Sequence, residues 1–153
     1  TSYDSKIPQD HIDWIKTLPL YLDLGDIWLV HAGVCPRLAL EEQNSEQFCW
    51  IREEFHGINE PYFKDKLIIT GHTITFTLPG VQPGQIAAGA GWLDIETGAY
   101  HQNSGWLTAL DIDSGKVYQI NTQNNCLRTM PLKRAIANVD PTQITPRRVR
   151  RRA

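Results

Sequence analysis

Apolar residues along this chain recur first at helical spacing and later in short extended runs. Ile12, Ile15 and Leu18 lie three apart behind Pro8, a residue suited to a first helical turn, so a helix of about ten residues is expected through Thr17, with Pro19 ending it. Leu20 to Leu24 reads as a short strand that turns at Gly25-Asp26 into the run Ile27-Trp28-Leu29-Val30. Between Leu38 and Phe55 the spacing returns to helical: Phe48, Ile51 and Phe55 repeat at three and four, which puts Arg52 beside the apolar face. A loop through Pro61 leads to Leu67-Ile68-Ile69-Thr70. The runs Gln85 to Ala88, Gly91 to Ile95, Trp106 to Ile112 and Lys116 to Ile120 follow, separated by Gly and Pro. The last two alternate partly at period two around Asp113-Ser114-Gly115, so an antiparallel hairpin is expected there. With helices early, strands late and no repeated βαβ unit, the pattern predicts an α+β fold with a mixed β-sheet.

Two of these apolar runs end on a histidine beside a glycine turn: Val30-His31-Ala32-Gly33 and Thr70-Gly71-His72-Thr73. A side chain at the C-terminal end of a buried strand projects into the crevice outside the sheet, where ligands and metals bind, and imidazole suits both roles. No Asp-rich, Asn-His or Cys-x-x-Cys partner appears upstream, so the constellation looks incomplete. Gly25-Asp26 is the only Gly-Asp pair, and the Ile27-Trp28 after it makes it a turn into a strand.

The runs His31-Ala32-Gly33-Val34-Cys35-Pro36, Cys49-Trp50-Ile51-Arg52-Glu53-Glu54-Phe55, Ile69-Thr70-Gly71-His72-Thr73, Asp94-Ile95-Glu96-Thr97-Gly98-Ala99 and Gly105-Trp106-Leu107-Thr108-Ala109-Leu110 together resemble, in content and order, the C-terminal half of bacterial-type serine/threonine protein phosphatases. These are calcineurin-like metallophosphoesterases, and the resemblance runs from near Thr1 to about Asn121. It implies half of a four-layer α/β/β/α sandwich, with residues 1–125 as the C-terminal portion of the domain; residues 126–153, by their Arg-rich composition, read as a disordered tail. By the same resemblance His31 and His72 are metal ligands and Arg52 orients the phosphate and stabilises transition-state charge. Glu96, where the family more often has Asp, is a second-shell candidate that would orient a metal-bound imidazole, and His101 a substrate-proximal one. The complete enzyme would use two divalent ions, Mn, Zn or Fe, on phosphoserine or phosphothreonine substrates. The family's Gly-Asp-x-His-Gly, Gly-Asp-x-x-Asp-Arg-Gly and Gly-Asn-His-Glu loops have no counterpart here, so a missing N-terminal half is expected to carry the remaining ligands, and this chain alone to bind metal weakly and be inactive or nearly so.

Composition narrows the picture only slightly. At 153 residues, 41% hydrophobic and 21% charged, the chain has the makings of one globular domain. No apolar run approaches the roughly 20 residues of a membrane helix, which argues against a membrane partner and favours a cytoplasmic location. Cys35, Cys49 and Cys126 are odd in number and widely spaced, unlike a zinc knuckle or redox pair, and Cys35 reads as a small buried residue. Trp14, Trp28, Trp50, Trp92 and Trp106 sit in apolar runs and read as core. His11 and His56 read as exposed. Arg147, Arg148, Arg150, Arg151 and Arg152 make the last seven residues strongly basic while the net charge is −2, so the body is acidic and the tail suits an anionic partner or plain solvation. A dinucleoside polyphosphate hydrolase of the same superfamily and an inactive binding module stand beside the protein phosphatase as alternatives.

Overall fold

Apolar runs of four or five residues are too short for stable helices, and consecutive apolar positions suit strands covered on both faces. The computed structural model describes residues 7–145, which form nine strands, β2 to β5 from such runs: β1 (Tyr21–Asp23), β2 (Ile27–Val30), β3 (Leu67–Thr70), β4 (Ile86–Gly89), β5 (Trp92–Asp94), β6 (Trp106–Asp111), β7 (Lys116–Asn121), β8 (Leu127–Pro131) and β9 (Ile136–Asn138). Six of them make a mixed sheet in the order β1-β2-β3-β5-β4-β9. Its centre is parallel, with Leu29 beside Ile69 and Ile69 beside Leu93. β1 and β4 run antiparallel to β2 and β5, and β9 joins β4 in parallel. The hairpin expected at Asp113-Ser114-Gly115 is present, with Asp111 opposite Lys116 and β8 added to make a three-stranded antiparallel sheet. The fold is therefore α+β with a mixed sheet.

Alternation along each strand decides which layer covers which face. Trp28, Val30, Ile68, Ala87 and Trp92 point to one side, where Phe48, Phe55 and Ile58 pack on them. Ile69, Ile86, Ala88 and Leu93 point to the other, against Val117 of β7 and Ala135. The large sheet thus lies between a helical segment and the small sheet.

The stretch read as one helix from Leu38 to Phe55 is broken. A 3-10 turn at Leu40–Glu42 is followed by α2 (Ser45–Trp50) and α3 (Glu53–His56), while α1 is Gln9–Thr17 and α4 is Leu132–Ala135. Asn44 starts α2 with a capping box, its Oδ1 accepting from Glu46 N while Gln47 Oε1 accepts from Asn44 N. Extended backbone at Ile51 ends it. Phe48 and Phe55 still share the sheet-facing side, which is why the spacing looked helical throughout.

The expected tail from residue 126 is also corrected. Leu127 to Pro131 pair with β7, and Ile136 to Asn138 extend the large sheet. The basic composition that suggested disorder belongs to Arg147 and beyond, which lie outside the described residues, and does not describe Met130, Ala135 or Ile136, which pack in the second core. Of the five tryptophans, Trp28 and Trp92 are core, whereas Trp14 and Trp50 are exposed. Among the described residues no helix is long and apolar enough to cross a membrane.

The N-terminal elements are the least covered. α1 buries none of its residues, and Trp14, Ile15, Leu18, Leu20, Leu22 and Leu24 are all exposed on α1, β1 and their connections. So much apolar surface in one stretch of chain marks a contact surface. The chain is expected to bind a hydrophobic dye and to self-associate in sedimentation. Replacing Ile15 and Leu22 with Lys should suppress both while shifting stability by no more than about 0.5 kcal/mol each, because neither side chain is buried. Unchanged dye fluorescence in the double variant would place the exposed surface elsewhere.

Candidate functional site

Parallel pairing of β2 and β3 brings their C-terminal ends to one edge of the sheet. His31 follows β2, and Gly71-His72-Thr73 follows β3. The Gly71 amide donates to the His31 carbonyl at 2.9 Å, tying the two loops together. His31 Nε2 and His72 Nδ1 are 3.0 Å apart, with ring centroids separated by 4.8 Å and planes inclined at 60°. The two histidines expected from the sequence do meet. His72 has φ 67°, left-handed backbone that a residue with a Cβ adopts only when its surroundings hold it there. The Thr73 amide donating to the Gly71 carbonyl closes that turn.

Gly33 permits the helical segment to approach the His31 loop. An added Cβ there would lie 2.5 Å from Phe55 Cγ, and the next amide back, Ala32 N, donates to the Phe48 carbonyl. The loop that bears His31 and the segment that bears Arg52 are therefore packed as one unit.

Arg52 stands at the break between α2 and α3. Its carbonyl receives the amides of Phe55 and His56 and so opens α3. Its side chain reaches across the sheet edge, Nη1 donating to the His72 carbonyl and to Thr73 Oγ1, each at 3.3 Å. Beside it lies a cleft of about 690 Å³ whose walls include Arg37, Trp50, Glu53 and Glu54. Trp50 stands edge-on to His72, with centroids 5.7 Å apart.

Burial pushes the His72 imidazole down to about 4, and the Arg52 guanidinium and then His31 add to the effect. A neutral ring is the form that binds a metal. His72 Nε2 is buried and has no hydrogen-bond partner, an orphaned atom of the kind that ligation would satisfy. That nitrogen suits a divalent ion as a ligand, and His31 stands against the same ring. The remainder is not at hand: among the described residues no group of three His, Cys, Asp or Glu is placed to hold a metal.

The weaker sequence candidates make local contacts. Glu96 Oε1 accepts from the Gly98 amide, and His101 Nδ1 from the Asn103 amide, with the His101 ring edge-on to Phe76. Cys35 is buried and its amide is held by Gln43 Oε1. His56, read as exposed, is instead fully buried, with Nε2 3.0 Å from Asp94 Oδ2. Its sequence signal was the acid: Asp94 closes an apolar strand, and a carboxylate there requires a buried partner.

Two outcomes follow from this geometry. Gly33→Ala should destabilise the chain by about 1–3 kcal/mol, the usual cost of overpacking, read as a lowered urea midpoint at constant slope. The depressed His72 sets a pH window. Between about 6.5 and 4 the unfolded chain takes up a proton that folded His72 refuses, so this group's contribution to stability is complete above 6.5 and is lost as the pH falls towards 4. Asp94, pushed up to about 6 by burial, acts in the opposite sense between about 6 and 3.8. The two offset each other in the wild type, so the His72→Gln variant, left with the Asp94 effect alone, should gain stability relative to wild type as the pH drops. Parallel pH profiles for the two proteins would contradict a neutral His72.

No family model, curated protein or solved structure matches the chain.

Proposed function

We propose that this chain forms part of a metal-dependent phosphoric-ester hydrolase of the calcineurin-like type, acting on phosphoserine or phosphothreonine. The observation that carries the reading is the convergence of His31, His72 and Arg52 from three separate elements on one sheet edge, with Arg52 bonded to the His72 loop.

Each residue has a role that its chemistry suits. His31 and His72 would hold one of two divalent ions, Mn, Zn or Fe. Such ions, when bound, acidify a water and offset phosphoryl charge. Arg52 is charged at every relevant pH and its planar fork matches two phosphoryl oxygens, so it would orient the ester and stabilise the charge that develops on it. His72 stays neutral above about pH 4 and needs to shed no proton before ligation. The carboxylates that bridge two ions would come from chain outside these 153 residues, in an N-terminal half, and the reading includes a cytoplasmic location. A dinucleoside polyphosphate is the second substrate reading, favoured by Trp50, which is 70% exposed at the cleft beside Arg52 and offers a stacking surface for a base.

The test is Arg52→Lys in a polypeptide that carries the full ligand set. Lysine keeps the charge and loses the fork, so turnover of p-nitrophenyl phosphate and of a phosphopeptide should fall by ~10²-fold or more, with metal content and folding nearly unchanged. His31→Ala and His72→Ala should instead lose both metal and activity. Wild-type turnover by Arg52→Lys would make Arg52 a structural residue. Diadenosine tetraphosphate as the preferred substrate, with that preference lost in Trp50→Ala, would decide for the second substrate class.

A further inference from the structure

The phosphoric-ester reading leaves one polar cluster unused: the pair His56 and Asp94, buried beneath Arg52. Both side chains are fully enclosed, with Trp92 and Phe55 edge-on to the imidazole at centroid distances of 4.9 and 5.2 Å. Asp94 Oδ1 accepts from the Glu96 amide, and Oδ2 faces His56 Nε2. Keeping a carboxylate among aromatic walls is costly, and burial raises the Asp94 carboxyl to about 6 even against the opposing hydrogen bond from His56. An apolar pair of the same size would fill this space without that cost, so the polar pair calls for a role beyond filling volume.

The other nitrogen of His56 supplies one. Nδ1 lies 2.9 Å from the Arg52 carbonyl oxygen. A carbonyl has no proton to give, so Nδ1 must carry the hydrogen, and the single proton between Nε2 and Oδ2 completes the chain. With that proton removed, either the carboxylate or the carbonyl would face a bare nitrogen. Asp94 therefore keeps His56 in the form that donates to Arg52.

That carbonyl is where Arg52 is held. It accepts from Phe55 N at 3.0 Å, His56 N at 3.1 Å and His56 Nδ1 at 2.9 Å, whereas the two guanidinium contacts across the sheet edge are both long at 3.3 Å. The backbone of Arg52 is anchored more firmly than its tip, and the anchor sets the direction in which the side chain leaves α3.

We propose that the buried His56–Asp94 pair is a positioning element for Arg52, fixing its carbonyl from below so that the guanidinium is aimed at the edge formed by His31 and His72. The inference rests on the reading of Arg52 as a phosphate-binding group. His56 and Asp94 touch no substrate. They act through Arg52.

The experiment uses the 153-residue chain, inorganic phosphate as the probe, and nuclear magnetic resonance of the Arg52 Nε–H group and the His56 ring nitrogens. In wild type, His56 Nδ1 should carry a proton at neutral pH, the Arg52 Nε–H vector should be ordered, and phosphate should shift its signal. His56→Gln keeps reach towards Asp94 but withdraws the donor from the carbonyl, and His56→Asn does the reverse. Arg52 order should fall in His56→Gln and persist in His56→Asn, and the phosphate dissociation constant should rise about tenfold in His56→Gln, as when one hydrogen bond to a charged group is lost. A merely structural pair would lower the melting temperature of both variants and leave Arg52 order unchanged in each, which overturns the proposal. Should neither variant fold, the wild-type spectrum decides: a protonated Nδ1 with an ordered Arg52 supports the proposal, and a bare Nδ1 or a mobile Arg52 refutes it. An ordered Arg52 anchored by Nδ1–H that phosphate does not perturb would leave the positioning role standing and remove the phosphate reading of Arg52.

Discussion

The parallel pairing of β2 with β3 is the constraint from which the candidate site follows. Because the two strands run the same way and lie side by side, whatever follows each of them must emerge at the same edge. His31 and His72 are the first polar groups past that edge, and the Gly71 amide bonded to the His31 carbonyl carries the pairing just beyond the strands. A register slip of one residue would send Trp28 and Ile68 to the opposite layer and move the imidazoles away from each other, so the burial of those two side chains and the 3.0 Å imidazole contact are enforced together.

A second constraint is the interruption of the helical segment at Ile51 and Arg52. An uninterrupted helix would bond the Arg52 carbonyl to one amide four residues on and leave its side chain on a flank. The break instead makes Arg52 the start of α3, with its carbonyl shared among three donors and its side chain free to cross towards the His72 loop. The same break lets Phe48 and Phe55 press on one face of the sheet from two short helices, and Gly33 supplies the clearance for Phe55. Packing and site geometry are thus two consequences of one irregular stretch.

Much of this could be read in the residue pattern, and what could not has identifiable causes. β2, β3 and the β6–β7 hairpin were legible because each is a short apolar run bounded by Gly or polar turns, and the two histidines were legible because they terminate such runs. The break at Arg52 was hidden because Phe48, Ile51 and Phe55 keep helical spacing across it. β8 and β9 were missed because the basic composition beyond Pro146 was extended backwards over Met130 and Ile136, whose apolar alternation is brief. Trp14 and Trp50 were misplaced because a large aromatic in an apolar run normally marks core, and here both lie on the surface. His56 was misplaced because its burial depends on Asp94, 38 residues away, so the one signal for it, an acid closing an apolar strand, does not lie near it in sequence.

The charges along the sheet edge indicate which ligand this part of the site favours first. His31 and His72 are 3.0 Å apart, and the fixed positive charge of Arg52 lies against the His72 loop, helping burial to keep that imidazole neutral. A guanidinium beside a neutral His72 ring attracts an anion and repels a cation. A divalent ion would meet two imidazoles but, among the described residues, no group of three ligating side chains, and the acids on the cleft wall, Glu46, Glu53 and Glu54, lie on α2 and α3. On the phosphoric-ester reading, carboxylates supplied from outside these residues would have two tasks: to ligate the ions, and to offset the positive charge of Arg52 so that cations could settle next to it. On that reading Arg52 would add its fork to whatever charge the ions supply to the phosphoryl group, and the three donors on its carbonyl would hold its backbone in place.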